Sequence, residues 1–253
     1  MCSVSWQQQQ NEILICFNRD EQKTRAVAEP PKVILESSAQ VIMPIDPDGG
    51  GTWISVNQFG LFLGLLNFYE ADVVKNSTQD LSHKYISRGL LVRQLSTSEN
   101  LSDLEVSFSQ QDLQRYRPFK LMVISTQEKK LFVWNGAELS SETPAEFICS
   151  SSFQSESVLQ YRYQQFDQAE NDLLKLHSDH SVRKDAHSIC MHRDDAQTVS
   201  LSVVKINSAE VSFQYWNGAP CSSQPSGIIS LDIDKYKNTN NHNNSEKRIS
   251  QNV

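Results

Sequence analysis

Long apolar runs are missing from this sequence of 253 residues: the longest, Leu61 to Leu66, spans six positions and includes Gly64. A helix that crosses a membrane needs roughly 20 apolar residues, so no such span is expected. Blocks of lysine and arginine are missing too, and 23 basic against 30 acidic residues leave a formal charge of −7. Binding to a phosphate backbone rests on clustered cations, so nucleic acid is not an expected partner. Cysteine is sparse. The five cysteines (Cys2, Cys16, Cys149, Cys190, Cys221) are odd in number, widely spaced and without a CxxC pair, which argues against a disulfide framework. The N-terminus lacks a positive start followed by an apolar stretch, so the chain reads as a cytoplasmic protein without a secretory signal. An apolar fraction of 38% is low for a globular chain yet ample for a packed core.

Turn signals and short apolar runs are what the chain does contain. Val4–Trp6 and Ile13–Phe17 flank the polar stretch Gln7–Asn11 and read as a hairpin. A loop around Pro30-Pro31 leads to a short strand over Val41–Ile45, and Pro44–Gly51 is a strong turn. Thr52–Val56 and Leu61–Asn67 form a second hairpin; the run Leu61–Leu66 is apolar on both faces, as in a strand covered on both sides. Ile86, Leu90, Leu91 and Leu95 share a helical face, with Ser87 or Ser82 as cap. Leu101, Leu104 and Phe108 mark another helix, and Leu121–Ser125 with Leu131–Trp134 a third hairpin. Phe147–Ser151 is a further strand.

From Ser155 onward, Leu159, Tyr163, Phe166, Ala169, Leu173 and Leu176 step by three and four residues, the spacing of one long helix. Thr198–Ile206 and Val211–Trp216 make a last hairpin. Helices are segregated from strands, which favours an α+β fold of two antiparallel sheets face to face with helices outside. One domain is expected over residues 2–233. Residues 234–253 hold almost no apolar side chains and are expected to be a disordered tail.

Three places carry residues suited to chemistry. Removal of Met1 would leave Cys2 as the first residue, with a nucleophilic thiol and an α-amine that titrates at about 7.7–8.0 when unperturbed. Such an amine can take the thiol proton during attack on a carbonyl. Asn18-Arg19-Asp20-Glu21 ends the strand beside the N-terminal one; an arginine there favours thiolate and an aspartate orients the cations. The plain alternative is a charged turn. Asn67 ends the run Leu61–Leu66 and offers an amide donor for an oxyanion, or is an ordinary turn asparagine.

Taken together, Met1-Cys2, Phe17-Asn18-Arg19-Asp20-Glu21, Gly50-Gly51-Thr52-Trp53, Gly60 to Asn67 and Ser87-Arg88-Gly89-Leu90-Leu91-Val92 resemble the NRDE family. That family is also called transport and Golgi organisation protein 2. The resemblance is close over residues 2 to about 96 and extends only as element order to about 216. It implies a four-layer αββα sandwich like that of N-terminal nucleophile hydrolases. It further implies cleavage of a non-peptide amide or related acyl bond through a thioester on Cys2, with Arg19, Asp20 and Asn67 as catalytic partners. Gly60 to Phe68 is similar to a segment of the choloylglycine hydrolase and penicillin V acylase group. There the matching asparagine helps form the oxyanion hole, while the arginine and aspartate are separated by two residues; Arg19 and Asp20 are adjacent. A second oxyanion residue falls near Ser150 or Ser151. Asn18, Glu21, Ser151 and Arg162 are the expected substrate contacts.

His177, His180, His187, Cys190 and His192 crowd into sixteen residues but match no zinc pattern, and polar loop histidines are the default reading. The hydrolase reading calls for no cofactor and no metal. Because the eukaryotic family is linked to haem trafficking, to lipid or acyl-coenzyme A metabolism and to Golgi organisation and secretion, a non-catalytic carrier is the alternative. Its ligand would be haem or an acyl group rather than a cleavable amide.

Overall fold

A computed structural model describes residues 1–37, 39–72, 85–170, 172–180 and 183–233. The chain opens with a hairpin of β1 (Cys2–Gln9) and β2 (Glu12–Gln22). The polar Gln7–Gln9 stretch extends β1, so the turn contracts to Gln10-Asn11, with Gln10 at a φ of +49°. β3 (Glu29–Glu36), β4 (Ala39–Ile45), β5 (Ile54–Asn57) and β6 (Phe62–Asn67) follow. After α1 (Tyr69–Asp72), α2 (Arg88–Leu95) and α3 (Leu101–Ser109) come β7 (Phe119–Ile124), β8 (Lys129–Trp134) and β9 (Leu139–Glu142). β10 (Phe147–Ser150), α4 (Ser155–Asp167), α5 (Leu173–Ser178), β11 (Ala196–Ile206), β12 (Glu210–Trp216) and β13 (Ile229–Asp232) complete the described fold.

Two antiparallel sheets result. One runs β10-β1-β2-β11-β12-β13, and the other is a meander from β3 to β9 in sequence order. Strand alternation then sets the layers. Ile13, Ile15 and Phe17 on β2 meet Phe62, Leu66 and Met122 of the facing sheet in the central core. On its other face β2 turns Leu14 and Cys16 toward Leu173 and Leu176 of α5. Leu61, Leu63 and Leu65 likewise pack under Leu91, Leu95 and Leu104 of α2 and α3. The order is helix, sheet, sheet, helix: the αββα sandwich.

Two expectations need correcting. The stretch at Pro30-Pro31 is strand, not loop; β3 is an edge, where a residue without an N–H leaves no ladder bond unmade. β9 and β13 are also edge strands, short and largely exposed, so they lack the apolar run that would announce them. The long helix is two. Gln168 ends α4, and Asp172 caps α5 by accepting from the Lys175 N–H at 3.0 Å, so the apolar spacing continues across a break. Of the two caps for α2, Ser87 is the one used, its Oγ accepting from Gly89 N–H; Ser82 lies outside the described residues, as does the 234–253 tail.

Candidate active site

β1 runs between β10 and β2, and its first residue Cys2 pairs with Ser150 on one side and Arg19 on the other. The Cys2 N–H donates to Ser150 Oγ at 3.2 Å. Alternation along β2 sends Arg19 and Asp20 to opposite faces. Arg19 points between the sheets, its guanidinium carbon 4.3 Å from the Trp53 ring centre, with Glu21 at 3.4 Å and Asp46 at 3.9 Å. Asp20 points under α4. There its carboxylate receives Arg162 Nη1 at 3.1 Å, Arg162 Nη2 at 3.2 Å and Thr198 Oγ1 at 2.7 Å.

A cavity of about 650 Å³ opens at this end of the sandwich, and Cys2, Arg19, Asp20, Glu21 and Asn67 all contribute to its lining. Asn67, the last residue of β6, donates from Nδ2 to Tyr69 Oη at 2.7 Å. A second wall comes from two sequence blocks that interlock by backbone. Thr52 N–H donates to Gly89 O at 3.0 Å, and a Cβ on Gly51 would lie 2.2 Å from the Gly89 carbonyl carbon. Only glycine permits that approach, which explains why Gly51-Thr52-Trp53 and Arg88-Gly89 sit together at the cavity.

Met1 is packed. Its side chain lies among Val158, Ala186, Met191 and Ala196, and its ammonium donates to Asp20 O at 3.0 Å. Burial pulls the ammonium pKa down, but the surrounding Tyr69, Cys2, Asp20 and Glu21 outweigh it and the group is raised. Burial pushes the Cys2 thiol up, against the opposing pull of the N-terminal charge and Arg19. Arg88 is lowered, chiefly by burial, and donates from Nη1 to Pro118 O at 2.8 Å.

Three of the expected substrate contacts lie elsewhere. Asn18 is fully buried and donates to His177 O at 2.8 Å and Ile189 O at 3.0 Å, binding the strand to the loop beyond α5. Arg162 is fully buried against Asp20 and Ser3, and Ser151 Oγ donates to Phe153 O at 2.6 Å beside the Met1 sulfur. None of the three lines the cavity. Ser150, rather than Ser151, is the serine against the Cys2 backbone.

Arg25, Asp46, Arg88 and Arg117 also line the cavity, and the sequence motifs do not point to them as site residues. One signal exists for Arg88: a cation in the first turn of a helix opposes the helix dipole, an arrangement that asks for another reason.

The two-sheet sandwich with a terminal cavity is the fold of the N-terminal nucleophile hydrolases, and solved structures of that class are similar to this chain. An N-acylethanolamine-hydrolyzing acid amidase ortholog of Caenorhabditis elegans matches with a TM-score of 0.56 at 11% identity, covering 80% of this chain and 92% of that one. Two variants of the conjugated bile acid hydrolase of Clostridium perfringens match with TM-scores of 0.50 and 0.53 at 13% and 11% identity, each covering 93% of both chains. Likeness at that identity is a likeness of fold. A search of curated protein sequences finds no match. The family model for transport and Golgi organisation 2 matches residues 1–215, and the chain belongs to that family.

Proposed function

We propose that the chain is an N-terminal-cysteine amidohydrolase that cleaves a non-peptide amide or a related acyl bond through a thioester on Cys2. The observation that carries this reading is that Cys2, Arg19 and Asn67, from three separate strands, all line one cavity. Excision of Met1 would convert the Cys2 N–H into an α-amine next to its own thiol. It would also empty the apolar slot among Val158, Ala186, Met191 and Ala196.

In this mechanism the Cys2 sulfur attacks the substrate carbonyl carbon while the α-amine accepts the thiol proton. Asn67 Nδ2 turns from Tyr69 to the developing oxyanion, assisted by a backbone N–H. Collapse of the tetrahedral species breaks the C–N bond, and the protonated α-amine hands its proton to the leaving nitrogen. Water then attacks the thioester carbonyl with the amine again as base, which releases the acid and restores Cys2. General acid–base help of this kind is worth about 10²–10⁴-fold in rate. Arg19 favours the thiolate from the cavity side, with Glu21 holding its guanidinium at 3.4 Å. Asp20 acts as a positioning residue, tying the end of β2 to α4 through Arg162.

Intact mass should show Met1 absent, and a thiol-directed acyl probe should label Cys2 alone. Cys2→Ala should abolish both labelling and turnover. Correctly processed protein that takes up no acyl group would end the hydrolase reading.

A carrier reading draws support from one observation: with Met1 in place, its ammonium is hydrogen-bonded and its side chain buried, so the amine is sequestered. A haem or acyl-coenzyme A carrier does not need that amine. For haem, no histidine is among the described residues lining the cavity. A Soret band that survives Cys2→Ala and extension ahead of Met1 would favour the carrier.

A further inference from the structure

Three segments distant in sequence meet outside the cavity described above. His180 follows α5, Cys190 and His192 precede β11, and Cys221 lies between β12 and β13. The ligand atoms of His180, His192 and Cys221 all fall within 4.8 Å of one another. His192 Nε2 is 3.2 Å from Cys221 Sγ and 3.7 Å from Cys190 Sγ. The His180 and His192 rings stand edge to face with centres 5.2 Å apart, and His180 Nδ1 is buried with no hydrogen-bond partner. Zinc bonds of about 2.0–2.1 Å to nitrogen and about 2.3 Å to sulfur imply ligand atoms roughly 3.3–3.8 Å apart in a tetrahedron. The two nitrogen–sulfur separations at His192 already lie near that range.

We propose that His180, His192 and Cys221 form a binding site for a zinc-type divalent cation, with Cys190, 3.7 Å from His192, drawn in as the fourth donor, a site independent of the Cys2 cavity. The donor set is two imidazole nitrogens and two thiols, which suits a borderline-soft cation and not magnesium or calcium. Binding releases one proton from each thiol to solvent, and the two thiolates neutralise the cation. Cys190 is fully buried and Cys221 exposed, so the ion would enter from the surface and pin the β12–β13 loop down.

The segment ahead of β11 that supplies Cys190 and His192 is the one that braces the Asn-Arg-Asp-Glu segment. Ile189 O accepts from Asn18 Nδ2 at 3.0 Å. Met191 N–H donates to Thr198 Oγ1 at 2.8 Å, and Thr198 Oγ1 donates in turn to Asp20 at 2.7 Å. The cation would therefore act as a staple beneath the strand that carries Arg19.

Cobalt(II) titration of the full chain tests this. The protein is stripped with chelator and kept under a non-thiol reductant, and the background is Cys2→Ala so that the N-terminal cysteine cannot chelate. One cobalt per chain is expected, with intense tetrahedral d–d bands and a thiolate-to-cobalt charge-transfer band, both displaced by one equivalent of zinc. Cys221→Ser should lower the charge-transfer intensity by about half and weaken binding at least tenfold while its far-ultraviolet circular dichroism stays unchanged. Cys190→Ser should lower the charge-transfer intensity by about half. A weak octahedral spectrum, a spectrum unaffected by Cys221→Ser, or a Cys190–Cys221 disulfide that persists under reductant would overturn the proposal.

Discussion

Arg162 on α4 and Asp20 on β2 form an ion pair of 3.1 Å in which both side chains are fully buried. Arg162 Nη2 also donates to Ala186 O at 2.9 Å and Nη1 to Ser3 Oγ at 2.8 Å, so one guanidinium joins α4, β1, β2 and the loop ahead of β11. Removing one partner of such a pair strands the other charge in a dry environment, at a cost of about 3–5 kcal/mol. Arg162→Met should lower the unfolding free energy in urea by that amount. Adding Asp20→Asn to it should cost less than the sum of the single changes, because the stranded charge is gone.

The contact between Gly51 and Gly89 is steric. An added Cβ at Gly51 would sit 2.2 Å from a backbone carbon and 2.5 Å from the carbonyl oxygen. Overpacking of this kind typically costs about 1–3 kcal/mol or more, and Gly51→Ala should also disturb the cavity wall at Thr52 and Arg88. The neighbouring Gly50 has a φ of +64°, and a methyl group there would meet nothing within 4 Å. Gly50→Ala should therefore cost only the roughly 1–2 kcal/mol of a left-handed non-glycine residue. Equilibrium unfolding of the two variants side by side separates the causes.

His177 titrates far from its usual range. Burial, reinforced by Arg162, lowers its pKa from 6.5 to about 3. Its Nε2 is within 2.8 Å of Ser5 Oγ, a buried contact that holds the neutral ring. The unfolded chain gains a proton near pH 6.5 that the folded chain refuses until about pH 3. Stability is thus intact above the unfolded pKa and falls as pH drops through the window, by up to about 1.4 kcal/mol per pH unit. Midpoints measured between pH 7 and pH 4 should show that slope, and His177→Gln should flatten it.

Asn67 gives the kinetic test of the hydrolase reading. Loss of one oxyanion donor costs about 2.7–4 kcal/mol, or about 10²–10³ in kcat. Asn67→Ala should show that loss with KM little changed, once a substrate is in hand. Tyr69→Phe removes only the resting hydrogen-bond partner at 2.7 Å and should leave kcat within a few-fold of the parent chain. An equal loss in both variants would assign Asn67 to structure alone.

Much of the sandwich is legible in the sequence because strands announce themselves locally. The six residues from Leu61 to Leu66 are apolar on both faces since both faces are covered, by the central core on one side and α2 with α3 on the other. Edge strands escape notice for the opposite reason. Leu139–Glu142 is exposed along its length, so its sequence carries no burial signal. Of the site, the residues at strand ends are readable, and Cys2, Arg19 and Asn67 do share a cavity. Asn18 and Arg162 read as substrate contacts, yet they are buried braces on the far face. A polar side chain in a motif looks the same in sequence whether it faces a ligand or a carbonyl.

Local pattern alone was enough for the interior strands, their hairpins and the choice of Cys2 as nucleophile candidate, because each depends on residues within a turn or two of one another. Packing of the two sheets decided everything that joins distant positions. It turned Arg19 toward the cavity and Asp20 toward Arg162, and it seated Gly51 on Gly89. It also carried Cys221 to His192, a pairing that spacing concealed. Those contacts depend on how layers stack, and no short-range periodicity encodes the stacking.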